Sequence, residues 1–213
     1  FYNKEVSIKD YKRFSGSYGS YAQRGANRSM LRLPFCGGHV TKKQLKFITN
    51  SIKKYNINNL HFTTGQSIQL HDLTGQTVCE IMEEAFDYDI ITRGSGGDNP
   101  QNIKASPLTG VDSEEYFDVY PYAKATADYV IGFIKTIKLP RKFKVSFTSS
   151  GKNDVYATFR DLGFAATPYG TFDVYTAGGL GPNPLMGVRV AQHVEPSKVL
   201  YHVKAMLKTF TTY

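Results

Sequence analysis

The order in which extended and helical patterns follow one another between residues 29 and 92 restricts this chain to few folds. Residues 30–35 alternate in polarity as a strand does, and Gly37-Gly38 ends the run. Thr41 then stands three residues before Gln44, the spacing of a capping box. Leu45, Ile48 and Ile52 follow at i, i+3 and i+7, which predicts one helical face, with Lys42, Lys43, Lys46, Lys53 and Lys54 in solvent. Asn58-Asn59 marks a turn. Residues 60–64 and 67–71 read as two strands interrupted at Gly65. Thr74-Gly75 leads into a helix with Val78, Ile81, Met82 and Ala85 on one face, and residues 88–92 read as a closing strand.

That order, β-α-β-β-α-β, is the split βαβ or ferredoxin-like pattern. Residues 1–28 before it are polar, aromatic and rich in Gly and Ser, and predict an irregular arm. Residues 93–110 after it form a long loop rich in Gly, Asn and Pro. A loop of that length is usually functional or a linker. The remainder predicts a helix over 115–137, a strand over 144–148 and a short helix over 154–161. Strands over 164–167, 172–176 and 187–193 follow, then a terminal helix over 196–210 with Val199, Val203, Met206 and Leu207 on one face. The expected fold is therefore α+β: an arm (1–28), a ferredoxin-like half-domain (29–92) and an α/β domain (93–213).

Composition narrows the class. With 213 residues, 41% hydrophobic, 21% charged and 14% aromatic, the chain can bury a core, and disorder, collagen and low complexity are excluded. No run of about 18 apolar residues predicts a membrane span. Cys36 and Cys79 are the only cysteines and are too far apart for C-x-x-C, so a reducing, cytoplasmic compartment is expected. The first residue is Phe1 rather than Met, which leads to the expectation that something has been removed. The net charge of +8 favours an anionic partner. No aromatic-basic octamer of the RNA-recognition kind lies on a strand, so nucleic acid is not the expected partner.

None of the five histidines has a zinc-site spacing, and no G-x-S-x-G elbow or P-loop is present. Gly178-Gly179-Leu180-Gly181 follows a strand; its N–H groups either face an anion or a flat cofactor, or make an ordinary turn. The segment Leu139-Pro140-Arg141-Lys142-Phe143-Lys144 is the most loaded. In extended chain Lys142 and Lys144 project to one side. Two ammonium groups so placed repel unless an anion lies between them or water screens them. Arg32 sits within the first strand of the half-domain, where a charge needs a partner unless the position is an exposed edge.

Taken in order, these segments resemble the siroheme-dependent nitrite and sulfite reductases. Met30-Leu31-Arg32 precedes Gly37-Gly38 and Thr41, and the stretch from Leu60 to His71 follows, through Thr63-Thr64-Gly65-Gln66 and Gln69. Gly97-Asp98-Asn99-Pro100-Gln101-Asn102-Ile103 comes next, then the Leu139–Lys144 segment, Asp161-Leu162-Gly163-Phe164 and the Gly178 loop. The resemblance implies a six-electron reduction of nitrite to ammonia or sulfite to sulfide. Siroheme coupled to a [4Fe–4S] cluster and ferredoxin or a flavoprotein as donor belong to that chemistry. It implies catalytic roles for Arg32, Lys142 and Lys144, and siroheme contacts for Thr63, Gln66, Gln69, Asn102, Gly178 and Gly179. Small oxyanions and a ring with eight carboxylates both call for a cationic pocket.

The chain departs from the pattern at Gly65 and at Gln101, where the family usually has Arg; Arg93 is the candidate substitute. The family's four cluster cysteines, in C-x5-C and C-x3-C, have no counterpart here. The expectation is an N-terminal portion of a longer reductase, inactive without its C-terminal half. The alternative is a degenerate paralogue that binds a tetrapyrrole or a protein without turnover.

Overall fold

Leu31, Leu33, Ile68 and Leu70 are almost fully buried, while Arg32 and Gln69 between them are half-buried. This is the period of two that a sheet with one buried face requires. The structure is a computed structural model and describes residues 3, 5–24 and 27–212. Contacts divide the chain into two units, one reaching Phe35 and resuming over His39–Asn99, the other made of Cys36–Gly38 and the chain from Pro100 onward.

The first unit contains α1 (Ile8–Gly16), β1 (Ser20–Ala22), β2 (Ser29–Pro34), α2 (Lys42–Lys54), β3 (Leu60–Phe62), β4 (Ser67–Leu73) and α3 (Gly75–Phe86). Its sheet is antiparallel in the order β1-β2-β4-β3. The capping box forms as its spacing predicts: Gln44 N–H donates to Thr41 Oγ1 at 3.2 Å and Thr41 N–H to Gln44 Oε1 at 3.0 Å. The buried face of α2 is Phe47, Ile48 and Ser51. Leu45, expected on that face, is 52% exposed. Val78, Ile81 and Ala85 of α3 join the same core.

Two expectations need correction. Residues 88–92 are not a strand. The N–H groups of Tyr88 and Ile90 donate to Ala85 O, and that of Asp89 to Phe86 O, at 3.0–3.1 Å, with Asp89 at φ +57°. A backbone whose donors close the end of a helix has none left for a ladder. The fourth position of the ferredoxin-like sheet is filled instead by β1, from the segment expected to be an irregular arm. That segment also carries α1, whose N-cap Ser7 accepts from Asp10 N–H at 3.1 Å. Residues 1, 2, 4, 25 and 26 of the arm, and residue 213, lie outside the described residues.

The second unit contains β5 (Lys104–Ala105), α4 (Tyr120–Phe133), β6 (Val145–Thr148), β7 (Leu162–Ala166), β8 (Phe172–Thr176), β9 (Val188–Val194) and α5 (Val199–Thr212). The five strands lie in chain order, parallel from β5 to β7 and antiparallel from β7 to β9. Phe143, Val145, Phe147, Phe164 and Phe172 pack one face against Ala123 and Val130 of α4 and Val199, Val203 and Leu207 of α5. Phe147 stacks on Phe164 with ring centroids 4.7 Å apart. The helix expected over 115–137 begins only at Tyr120. Ahead of it, Val119 N–H donates to Thr109 Oγ1 and Tyr120 N–H to Asp118 Oδ1 at 2.8 and 2.9 Å. The helix expected over 154–161 shrinks to one 3-10 turn, Ala157–Phe159, entered through a left-handed Tyr156 at φ +57°. Among the described residues no helix is long and apolar enough to cross a membrane.

Candidate functional site

Phe143 lies in the core with no exposure, so Lys142 and Lys144 on either side of it turn to the opposite face, as their i, i+2 spacing predicts. Lys142 is exposed and Lys144 half-buried. Phe143 O accepts from Gln101 N–H at 2.8 Å and Phe143 bridges Pro100 in parallel, which lays the 100–105 segment along β6. The register then pairs Lys104 with Ser146 and Ala105 with Phe147. Ala105 enters the core, and Lys104 shares the other face with Ser146 and Lys144. On the far side of β6, Asp161 accepts from Lys144 N–H at 2.8 Å, immediately after Arg160. Arg160 donates Nε–H and Nη2–H to Val155 O at 3.3 and 3.1 Å.

These cations perturb one another. Burial, then Arg160 and Lys144, push the Lys104 ammonium down to about 8, with Asp154 opposing. Lys144 is lowered by burial and by Lys142 and Arg160, against Asp161. Burial also lowers Arg160 and raises Asp161. Among the described residues, none of Lys104, Lys142, Lys144 and Arg160 makes an ion pair within 4.0 Å. Ser146 Oγ is buried with no hydrogen-bond partner among the described residues. Leaving such a group unpaired costs about 1–3 kcal/mol.

The glycine loop divides into two roles. A Cβ on Gly178 would stand 2.8 Å from the Cα of Phe159, so this glycine admits the 3-10 turn against β8. A Cβ on Gly179 would meet nothing within 4 Å. Gly178 N–H donates to Arg160 O and Gly179 N–H to Leu185 O, both at 3.0 Å, so these donors close turns rather than face an anion.

In the first unit, Arg32 lies on a central strand, opposite Gln69 of β4, not at an edge. Its Nη1–H donates to Ser95 O at 2.9 Å, and its guanidinium lies 5.4 Å from the Tyr21 ring centroid. Gln69 also pairs in register with His61 and places Oε1 3.3 Å from His71 Nε2. Thr63 and Gln66 lie in the β3–β4 turn; Thr63 Oγ1 donates to Ser67 O and accepts from Ser67 N–H at 3.1 and 3.2 Å. Asn102 belongs to the second unit, next to Gln101. Arg93 stacks on Tyr18, 5.3 Å from the ring centroid. The structure thus brings Arg32 to Gln69, and Lys142 to Lys144. Lys104 and Arg160 escaped the motif-based reading, because only strand register puts them beside Lys144. The available signal was a lysine set between apolar Ile103 and Ala105.

An α+β chain with a ferredoxin-like sheet and a cationic cluster at the entrance to parallel strands is the class of protein that these observations define. The "Nitrite and sulphite reductase 4Fe-4S domain" family model matches residues 96–213, more than half the chain, and the "Nitrite/Sulfite reductase ferredoxin-like half domain" model matches residues 21–85. The chain belongs to the nitrite and sulfite reductase family. It is 31% identical over 165 residues to the ferredoxin–nitrite reductase of Synechococcus elongatus, covering 75% of this chain and 31% of that protein. It is 28% identical over 213 residues to the sulfite reductase [NADPH] hemoprotein beta-component of Thiocapsa roseopersicina, covering 84% and 38%. The solved structure of the Mycobacterium tuberculosis NirA protein has the same fold, with a TM-score of 0.87 at 22% identity, over all of this chain and 43% of that one. The chain spans about a third of the length of the curated relatives it matches.

The family implies siroheme and a [4Fe–4S] cluster in the full enzyme. The residues present do not fit the cluster. It needs four thiolates, whereas the chain has two cysteines. Burial pushes the Cys36 thiol up to about 12, away from the thiolate. Among the described residues no group of three or more His, Cys, Asp or Glu side chains could hold a metal. The carboxylates of siroheme do fit: Lys104, Lys142, Lys144 and Arg160 offer unpaired positive charge, and Ser146 a free hydroxyl.

Proposed function

We propose that the chain is the anion-holding portion of a siroheme-dependent nitrite or sulfite reductase. The observation that carries the reading is the half-buried Lys144, held beside Lys142 with no carboxylate within ion-pair distance among the described residues, in a chain of this family. Arg32, Lys142 and Lys144 bind the oxyanion and keep donors on its oxygens as these take up protons. Thr63, Gln66, Gln69, Asn102, Gly178 and Gly179 contact the tetrapyrrole. Gly179 suits close backbone approach, because the space beside it is open. Siroheme with its coupled cluster supplies the electrons when bound. The cluster thiolates belong to the length of the relatives that this chain does not span, and the donor is ferredoxin or a flavoprotein. The reading includes a cytoplasmic enzyme without nucleic-acid or membrane partners.

Two measurements test it. With reduced methyl viologen and added siroheme, these 213 residues alone are expected to yield neither ammonia nor sulfide; sustained turnover contradicts the claim of inactivity. Siroheme is expected to bind with a shift of its visible spectrum, and Lys144→Met to weaken sulfite binding to the loaded protein about tenfold. An unshifted spectrum removes the tetrapyrrole reading. The absence of Arg at positions 65 and 101 favours a second reading, a binding module without turnover. Cysteines in C-x5-C and C-x3-C downstream in the gene support the reductase; their absence there supports the module.

A further inference from the structure

The proposed function assigns no role to Lys104 or Arg160, yet both belong to the cationic cluster around Lys144. Lys104 stands on β5 opposite Ser146, two residues along the neighbouring strand from Lys144. Arg160 stands at the entrance to β7, next to the Asp161 carboxylate that accepts from Lys144 N–H at 2.8 Å. Lys104 and Lys144 therefore share the face opposite the phenylalanine core, and Arg160, just ahead of the next strand, lies close enough to lower both ammonium groups.

The nearby carboxylates do not neutralise them. Asp154 accepts from Ser106 Oγ at 2.7 Å and from Thr148 Oγ1 at 3.3 Å, and Asp161 is held by a backbone N–H. None of the three cations makes an ion pair within 4.0 Å among the described residues. Arg160 uses Nε–H and Nη2–H on Val155 O, which leaves Nη1 for another acceptor. Ser146, the register partner of Lys104, keeps a buried and unpaired hydroxyl. Like charges that have lost part of their hydration repel, and such an arrangement is relieved by an anion.

We propose that Lys104, Arg160 and Lys144 form a seat for one anionic oxygen group, a carboxylate or a small oxyanion, and that Lys104 is a ligand-binding residue of this chain. The proposal rests on the reading of the chain as an anion-holding portion of a reductase. It gives a cationic role to a further residue in a chain that has no Arg at positions 65 and 101. The suppressed basicity of Lys104 agrees with it. Arg160 and Lys144 face the ammonium and lower it, Asp154 alone opposes them, and a bound anion reverses the balance.

Uroporphyrin, an iron-free octacarboxylate tetrapyrrole, and nitrite or sulfite at matched ionic strength are the probes, titrated at neutral pH against the 213-residue chain. Lys104→Met is expected to weaken binding about tenfold, and Lys104→Arg to stay within about threefold. Weakening confined to uroporphyrin identifies a carboxylate of the ring as the occupant; weakening confined to nitrite or sulfite identifies the small oxyanion. In the wild-type chain the 15Nζ resonance of Lys104 is expected to titrate near 8 alone and higher with the probe bound, which needs no variant. If Lys144→Met weakens binding while Lys104→Met does not, and the Lys104 titration stays put, the seat is overturned and the reductase reading stands. If the wild-type chain binds none of the probes, both fall.

Discussion

At Gly178 a Cβ would collide with the backbone of Phe159, whereas at Gly179 it would enter open space. Gly178→Ala is therefore expected to lower stability by about 1–3 kcal/mol, and Gly179→Ala to change it by less than about 0.5 kcal/mol. Urea midpoints of the two variants distinguish them. Lys104 makes a prediction about pH. Its ammonium titrates near 10.5 when unfolded and near 8 when folded. Between these values the unfolded chain binds more protons, so stability rises with pH across that window. Lys144, lowered in the same direction, adds to the rise. Cys36, raised from 9.0 to about 12, opposes it from about pH 9 upward, because there the folded chain keeps a proton that the unfolded chain releases; Tyr55 and Tyr120, raised from 10.0, oppose it near and above that value. From about pH 8 to about pH 10 the urea midpoint is expected to move further toward stability, or to fall less, in the wild type than in Lys104→Met, which keeps the opposing contribution of Cys36 without that of Lys104. That variant is expected to be no less stable than wild type at neutral pH, because a charge retained for binding weakens the fold around it.

At the scale of elements, local signals and long-range ones part company. The Thr41–Gln44 box is legible because both partners lie within one turn, and Thr41→Ala is expected to cost about 1 kcal/mol by urea unfolding. The closing strand was not legible. Residues 88–92 have strand-like composition, but the N–H groups of Tyr88, Asp89 and Ile90 are taken by the end of α3, and β1 pairs with β2 in their place. Which segment wins a sheet edge depends on where its donors are already engaged, and no window of sequence records that. The same holds for residues 115–119, whose helical pattern yields to caps on Thr109 and Asp118.

Over the whole molecule, the net charge of +8 draws in anions, and the half-buried cluster decides where they stop. Raising salt from about 0.05 to about 0.5 M is expected to weaken uroporphyrin binding, because exposed charges are screened within about one Debye length. The ratio of wild-type to Lys144→Met affinity is expected to change less, because a half-buried pair is screened less. A ratio that collapses to one in high salt would locate binding on the general surface instead. The sequence by itself determined the family, the α+β class, the helix caps and the outward pairing of Lys142 with Lys144, since each rests on residues a few positions apart. Tertiary structure alone decided that Lys104 and Arg160 join them and that β1 completes the first sheet. The register of neighbouring strands is chosen by the packing of a whole face, and that packing sums contributions from residues far apart in the chain.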